Sequence, residues 1–316
     1  MSDVKKRKNV SATVDKNGDK SASEAKIHDK PATSDNKLML RVLSRIVVIT
    51  SLLIVVYFST KEENIKPFAR QSDILPGKGQ IVECSTSYLR EVERYEGCYP
   101  KDCKRYVTDQ VISVREAEDL LEMAKKGFKV GGSAGGASIL DLHSGALSKG
   151  THYINIYKNE DTKNLFTEND FNIYRVVKEK IRYAVGHHFG ISPNKIYLTH
   201  TTFFSELTAK KAAGIHDEYW HPHVDKETYP HFHYTTLLYL GDYNIDFKGG
   251  RFVFIDEKFN RTVEPRKGRL SMFTSGAENR HYVEKVTSGI RYAITVSFTC
   301  DKNHAIEDPS INKYLN

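Results

Sequence analysis

Alternating apolar and polar residues near the carboxyl terminus predict strands. Residues 291–298 place large apolar side chains at every second position, which is typical of a half-buried strand. The other face carries Arg291, Ala293, Thr295 and Ser297, and we expect it to line a cavity. Residues 246–254 and 265–273 each resemble a glycine turn that leads into a strand. Several short strands separated by such turns indicate a sandwich or a jelly roll.

Two earlier segments have the periodicity of amphipathic helices. The first begins at a capping box, Ser113 to Glu116, and we expect it to end at Gly127. The second begins at Thr167 and is expected to end near Gly186. Their apolar stripes are Val114, Ala117, Leu120, Leu121 and Ala124 in the first helix and Phe171, Tyr174, Val177, Ile181 and Ala184 in the second. We predict that both helices buttress one side of the strands.

An apolar run near the amino terminus predicts a membrane span. Residues 46–58 carry no charged side chain, and extension of the run back to Val42 gives about the length that a tilted or snorkelling helix needs. A buried core segment and a cleaved signal peptide are the alternatives. Because forty-five residues precede the run, a cleaved peptide is disfavoured. We predict a single transmembrane signal anchor over residues 42–60.

The charge distribution predicts the orientation of this span. Residues 1–45 contain eleven lysines and arginines against six acidic residues. Positive charge favours the cytosolic side, so a type II single-pass protein is expected, with its carboxyl-terminal part in the lumen of the secretory pathway. Endoplasmic reticulum and Golgi both remain open. Residues 1–41 have the composition of a disordered basic tail. The remainder is nearly neutral, which argues against a nucleic-acid surface.

The lumenal residues divide into three predicted parts. Residues 61–107 form a stem with cysteines, residues 108–301 form one compact domain, and residues 302–316 form a tail. All four cysteines follow the apolar run, and an oxidising lumen would allow disulfides. Spacing leaves all three pairings open, as well as free buried thiols. Asn260 begins a sequon, Asn-Arg-Thr, and is a candidate glycosylation site.

Three residues form a candidate metal site. His223 and Asp225 lie two positions apart, so a strand would project both from one face. A later strand would add His281. Two histidines and one carboxylate leave half an octahedron open, which suits non-haem Fe(II). The alternative is structural zinc, because five histidines lie within eighteen residues: His216, His221, His223, His231 and His233.

The candidate metal ligands belong to a series of motifs through which the chain resembles a known family. His223-x-Asp225, Phe247-x-Gly-Gly250, Pro265-x-x-Gly268 with Phe273, and residues 281–291 are similar to the motifs of the prolyl 4-hydroxylase-like branch of the 2-oxoglutarate- and Fe(II)-dependent dioxygenases. The resemblance covers residues 108–300. It implies an α+β fold, namely a double-stranded β-helix (jelly roll) with buttressing helices, here preceded by the single transmembrane helix.

The resemblance also implies the chemistry. His223, Asp225 and His281 match the iron ligands, and Arg291 matches the residue that binds the distal carboxylate of 2-oxoglutarate. Fe(II), 2-oxoglutarate as co-substrate, O2 and L-ascorbate are the expected cofactors, with succinate and CO2 as products. A peptide or protein is the expected substrate, and proline is one candidate for the hydroxylated residue. In one departure from the family, residues 201–204 lack a tyrosine that often helps to hold the co-substrate.

The mouth of the site and a second function class stay open. Tyr219, Trp220, His221 and His231 flank the expected ligand strand and are candidates for substrate contact, although simple packing explains the aromatic residues equally well. The alternative function is a membrane-tethered binding protein with a non-catalytic or zinc-stabilised jelly roll.

Overall fold

The structure, a computed structural model, describes residues 34–59 and 65–310. The chain divides into two compact units, with the division between Glu62 and Glu63. Residues 1–33 of the predicted tail, and residues 311–316 of the expected carboxyl-terminal tail, lie outside the described residues.

The first unit contains one long helix. Helix α1 (Ser34–Ser59) starts eight residues before the predicted span and is about 39 Å long. Within the described part of the chain, its segment Asn36–Val56 is the one that has the length and apolar composition to cross a bilayer. The side chains of residues 36–56 are exposed.

Residues 65–310 contain four α-helices. They are α2 (Thr86–Val92), α3 (Val114–Val130), α4 (Glu168–Phe189) and α5 (Asp225–Thr228). Helices α3 and α4 begin where the sequence predicts, because Ser113 and Thr167 each form a complete capping box. Val114 is 58% exposed, so it does not belong to the buried stripe of α3.

The expected end of the first helix at Gly127 is wrong, since α3 continues to Val130, whereas Gly186 lies near the end of α4, as expected. A Cβ atom at Gly127 would lie 2.5 Å from Leu140 Cδ2, and one at Gly186 would lie 2.5 Å from Pro193 Cγ. Close packing therefore explains both glycines. Helix α4 ends at Gly190, which adopts a left-handed conformation with φ 68°.

The second unit is mixed α/β with large antiparallel sheets. Its strands are β1 (Ile65–Ala69), β2 (Lys78–Ile81), β3 (Lys104–Thr108), β4 (Gly132–Ser133), β5 (Ala137–Leu140), β6 (Ala146–Gly150), β7 (His152–Asn155), β8 (Tyr197–Leu198), β9 (Phe203–Thr208), β10 (Tyr234–Tyr239), β11 (Phe247–Gly249), β12 (Phe252–Phe254), β13 (Asn260–Val263), β14 (Leu270–Thr274), β15 (His281–Val283) and β16 (Val286–Thr299). The larger sheet has the order β2-β3-β14-β10-β16-β9-β5-β6-β4, and the smaller has the order β1-β13-β12-β15.

Alternation along β10 and β16 separates two cores. Leu237 of β10 and Ala293 of β16 pack with Phe252 and Phe254 of the smaller sheet. The adjacent residues, such as Leu238, face the opposite way and share a cluster with the apolar stripes of α3 and α4. The helices therefore cover one face of the larger sheet, as predicted, and the smaller sheet packs on its other face.

The expected stem contributes strands to this unit. Strand β1 pairs with β13, and β2 and β3 extend the larger sheet, so the expected boundary at residue 107 falls inside β3. The cysteines pair as Cys84–Cys103 and Cys98–Cys300. The second disulfide ties this segment to the end of β16.

Candidate metal centre

Backbone pairing brings the two candidate histidine ligands together. The His223 N–H donates to the His281 carbonyl at 2.9 Å, and the His281 N–H donates back at 3.0 Å. Such a reciprocal pair holds two residues directly opposite each other on adjacent extended segments. The ring centroids of His223 and His281 are 4.4 Å apart. Asp225 follows two residues after His223 and begins α5.

The potential ligand atoms converge on one point. Asp225 Oδ1 lies 3.7 Å from Nε2 of His223 and 3.7 Å from Nε2 of His281. One ligand atom from each of the three residues lies within 4.8 Å of the others, and no further histidine, cysteine or carboxylate of residues 34–59 and 65–310 joins the group. This spacing fits one metal ion between the three side chains.

Each of the three side chains also makes a hydrogen bond through the atom that is not a potential ligand. These bonds point the potential ligand atoms toward one another. Nδ1 of His223 donates to the His221 carbonyl at 2.9 Å, and Nδ1 of His281 donates to the Asn279 carbonyl at 2.8 Å. Because a carbonyl only accepts, each Nδ1 carries the proton and each Nε2 presents a lone pair. The Thr235 hydroxyl donates to Asp225 Oδ2 at 2.7 Å, which leaves Oδ1 facing the histidines. The donor set fits a divalent cation.

Burial favours the neutral form of His281. Its side chain is buried, and loss of hydration lowers the pKa of His281 to about 4, with the nearby Asp225 carboxylate opposing this shift. Phe252 stacks on the ring, with centroids 4.7 Å apart. Neutral imidazole is the form that binds metals.

Arg291 is a buried cation beside this group. Arg291 as a whole is 1% exposed, and burial lowers the pKa of its guanidinium. Nε donates to the Gly250 carbonyl at 2.8 Å, whereas Nη2 is buried without a hydrogen-bond partner among the described residues. A Cβ atom at Gly250 would lie 2.9 Å from Arg291 Cδ, so the side chain needs a glycine there. A buried unpaired donor on a cation is costly, and an anionic ligand would satisfy it.

A cavity of about 460 Å³ is lined by the three candidate metal ligands, His223, Asp225 and His281, and by Arg291. Thr295 also lines it, as expected, whereas Ala293 and Ser297 do not. Of the four candidate mouth residues, Tyr219 and His221 line the cavity. Trp220 lies beside Tyr219 with the Lys285 ammonium 3.8 Å from its ring, and His231 stacks on His304.

The other clustered histidines do not support a zinc site of several histidines. His233 is fully buried 3.0 Å from Glu91, and its Nδ1 accepts from the Cys300 N–H. His231 Nε2 binds the His200 carbonyl at 2.6 Å. His216 and His221 line the cavity, and neither joins the three-residue group.

Sequence reasoning missed several supporting residues. Arg105, which is buried in β3, donates through Nε to Asn279 Oδ1 at 2.7 Å and pairs with Asp256 at 2.7 Å. It thereby holds the loop whose carbonyl orients His281. Tyr239 is fully buried with its ring 5.5 Å from the Arg291 guanidinium. Alternation in the strands could have indicated that Tyr239 faces inward, but no local signal links Arg105 to a residue 174 positions away.

The class of protein follows from comparison with known families. Residues 211–299 match the profile of the 2OG-Fe(II) oxygenase superfamily. This range includes the three candidate metal ligands and Arg291. The chain belongs to this superfamily.

Several individual proteins are similar to this chain. The chain is 54% identical over 243 residues to 2-oxoglutarate and iron-dependent oxygenase domain-containing protein 3 of Mus musculus, across 76% of this chain and 77% of the relative. It is 28% identical to prolyl 3-hydroxylase 1 of Gallus gallus, across 77% of this chain and 35% of that protein. A solved prolyl hydroxylase from Trichoplax adhaerens, in complex with a peptide fragment, aligns with a TM-score of 0.43 at 14% identity over 63% of this chain and 85% of the other.

Proposed function

We propose that this protein is a membrane-anchored, Fe(II)- and 2-oxoglutarate-dependent dioxygenase that hydroxylates a peptidyl substrate. His223, Asp225 and His281 would hold the iron, and Arg291 would bind the distal carboxylate of 2-oxoglutarate. One observation carries the proposal: the three convergent ligands share a cavity with a buried guanidinium that has an unsatisfied donor. Membership of the superfamily supports the same chemistry.

Three ligands on the wall of a cavity favour iron over structural zinc. A structural zinc site is usually closed by four protein ligands. A facial set of two histidines and one carboxylate instead leaves positions for a co-substrate and dioxygen. When bound, iron supplies the oxidative chemistry that couples decarboxylation of 2-oxoglutarate to succinate with hydroxylation of a C–H bond.

The contribution of this chain is binding, orientation and exclusion of water. Arg291 can bind a carboxylate through two hydrogen bonds, which would orient the 2-oxo acid group toward the metal ligands. Phe203, Leu207 and Phe252 give the cavity apolar walls that keep bulk water away. L-ascorbate would serve as the reductant that maintains the ferrous state.

The remaining parts of the proposal concern fold, substrate and location. Two packed sheets, with His281 on a strand of the smaller sheet and Arg291 on a strand of the larger sheet, support a double-stranded β-helix. Similarity to a protein named prolyl 3-hydroxylase 1 supports a peptidyl substrate, with proline as the candidate residue. Helix α1 supports a membrane anchor, and the excess of positive charge in residues 1–45 supports its type II orientation. The two disulfides support a lumenal location, and glycosylation at Asn260 is a further part of the proposal.

Metal loading together with turnover tests this function. Full-length protein in detergent, purified without oxygen, is expected to bind one Fe(II) per chain and to release succinate from 2-oxoglutarate once air is admitted. A zinc-loaded sample is the matched control and should release none. If the isolated protein instead holds one tightly bound zinc per chain and releases no succinate after iron loading, the alternative function, a non-catalytic or zinc-stabilised binding protein, would be supported.

A further inference from the structure

Helix α1 has a basic first part and an uncharged remainder. Its residues 36–45 include Lys37, Arg41 and Arg45, whereas no charged side chain follows Arg45 in the helix. These three residues recur at intervals of four positions. Since an α-helix has 3.6 residues per turn, successive members lie about 40° apart around the axis, and all three share one face. We call these three residues the basic stripe.

Apolar side chains occupy the other directions around this part of the helix. They belong to Leu38, Met39, Leu40, Val42 and Leu43, and each of these residues is between 49% and 73% exposed. A helical segment with a basic face and a wide apolar face is suited to the boundary between lipid headgroups and acyl chains. Residues 37–45 therefore have the side chains of an interfacial segment at one end of a span.

The length of the uncharged part places the basic stripe at that boundary. Residues 46–59 extend for about 21 Å, which is less than the roughly 30 Å of a hydrocarbon core. The apolar residues 38–43 are needed to complete the span, so Arg41 and Arg45 come to lie near the lipid phosphates. Members of the stripe are about 6 Å apart along the axis. Because long basic side chains extend along a helix toward the headgroups, their cations can reach phosphates at similar depths.

The charge of the helix complements an anionic headgroup. Asp35 is the one acidic residue of α1, so three basic residues against one acidic residue give the helix a net charge of +2. All of this charge lies in residues 35–45. A guanidinium binds a phosphate through two parallel hydrogen bonds. Basic residues beside a span also attract lipids with net negative charge.

We propose that the basic stripe binds anionic phospholipids in the leaflet on the amino-terminal side of the span. The inference rests on the membrane-anchored part of the proposed function and does not depend on the chemistry of the metal centre. Zwitterionic lipids offer the same phosphate without net negative charge, so the stripe should favour a headgroup such as phosphatidylserine. Such lipids would be enriched around the protein and would fix the depth of α1 in the bilayer.

Electron spin resonance of labelled lipids measures this preference. Full-length protein is reconstituted in phosphatidylcholine vesicles with a trace of spin-labelled phosphatidylserine or spin-labelled phosphatidylcholine. The motionally restricted fraction of each label gives the ratio of their association constants. Because one basic residue near an anionic headgroup supplies roughly a fivefold preference, the wild-type ratio should be about five or more. Combined substitution of the stripe, Lys37→Gln, Arg41→Gln and Arg45→Gln, should reduce the ratio to about one.

The matched control removes three positive charges from the same side of the span but outside α1. It combines Lys5→Gln, Lys6→Gln and Arg7→Gln, and it should keep the wild-type ratio. A second measurement needs no variant: in about 1 M salt, where charges are screened beyond roughly 3 Å, the wild-type ratio should fall toward one.

Three outcomes would overturn the inference and leave the proposed anchor intact. They are a wild-type ratio of about one, a wild-type ratio that salt does not change, and an equal loss of preference in the stripe variant and the control variant. Alkaline extraction of the same vesicles tests the anchor separately. Release of wild-type protein from the vesicles would refute the anchor and the inference together.

Discussion

At the scale of single residues, the candidate centre depends on what lies behind each ligand. The two histidines are oriented by the carbonyls of His221 and Asn279, and Asp225 is oriented by the hydroxyl of Thr235. Partners of this kind fix the tautomer and the direction of metal ligands. The affinity for metal should therefore depend on residues that do not touch the ion.

Thr235 tests this dependence. Thr235→Val keeps the shape of the side chain but leaves Asp225 Oδ2 without its donor, so the affinity for Fe(II) should fall about tenfold or more. Anaerobic titration with Fe(II) measures it. The matched control is Thr236→Val, because the Thr236 hydroxyl donates to the Val296 carbonyl and is also buried. Equal iron affinity in the two variants would contradict a role for Thr235 in orienting Asp225.

Only part of this arrangement could be predicted at the residue scale. The sequence predicts His223, Asp225 and Arg291 as candidates, but the first two lie at an isolated bridge and at the start of α5 and not on one strand. Thr235 and Asn279 look like ordinary polar residues of a strand and a turn in the sequence. Their roles arise from long-range contacts, which depend on how the sheets pair.

At the scale of elements, the short helix α2 connects the segment that contains the cysteines to helix α5, which begins at Asp225. Glu91 of α2 accepts from the Lys226 ammonium at 2.8 Å and lies 3.0 Å from Nε2 of His233. Burial of the carboxylate opposes its ionisation, but the hydrogen bonds and charges of these two neighbours lower the pKa of Glu91 to about 2. Lys226 follows directly after Asp225, so α2 packs against the start of α5.

The lowered pKa predicts an acid-sensitive contact. Since the folded-state value lies below the unfolded value of 4.5, ionised Glu91 stabilises the fold above pH 4.5, and this contribution is lost as the pH falls toward 2. Glu91→Gln should lower the free energy of unfolding by about 1–2 kcal/mol at pH 6, allowing for solvent screening of a partly exposed ion pair. The difference from wild type should shrink between pH 4.5 and pH 2.5, as measured by denaturation of metal-free protein. A constant difference over that range would contradict this account.

The sequence predicts where helices α3 and α4 begin better than it predicts where α3 ends. Ser113 and Thr167 begin helices through contacts within three residues, which sequence alone reveals. Gly127 resembles a stop signal but lies inside α3, where Leu140 of β5 packs closely against it. A glycine serves both purposes, and only the tertiary structure distinguishes them.

At the scale of the whole molecule, the second unit is closed by contacts between distant parts of the chain. The disulfide Cys98–Cys300 spans 202 residues, and Arg269, which is fully buried, donates to Asp109 and to the carbonyls of Arg70 and Asp73. Residues 65–107 therefore belong to the unit that carries the candidate centre. Cysteine spacing could not reveal this pairing, because it depends on the position of β16.

Succinate formation is the most direct measurement of the central claim, which is that His223, Asp225 and His281 hold a ferrous ion. Full-length wild-type protein with Fe(II), 2-oxoglutarate and air should release succinate, and Asp225→Ala should release none. Glu227→Ala, at an exposed position of the same short helix, should retain the wild-type rate. Succinate release by Asp225→Ala at a rate close to that of wild type would contradict the assignment of the metal centre.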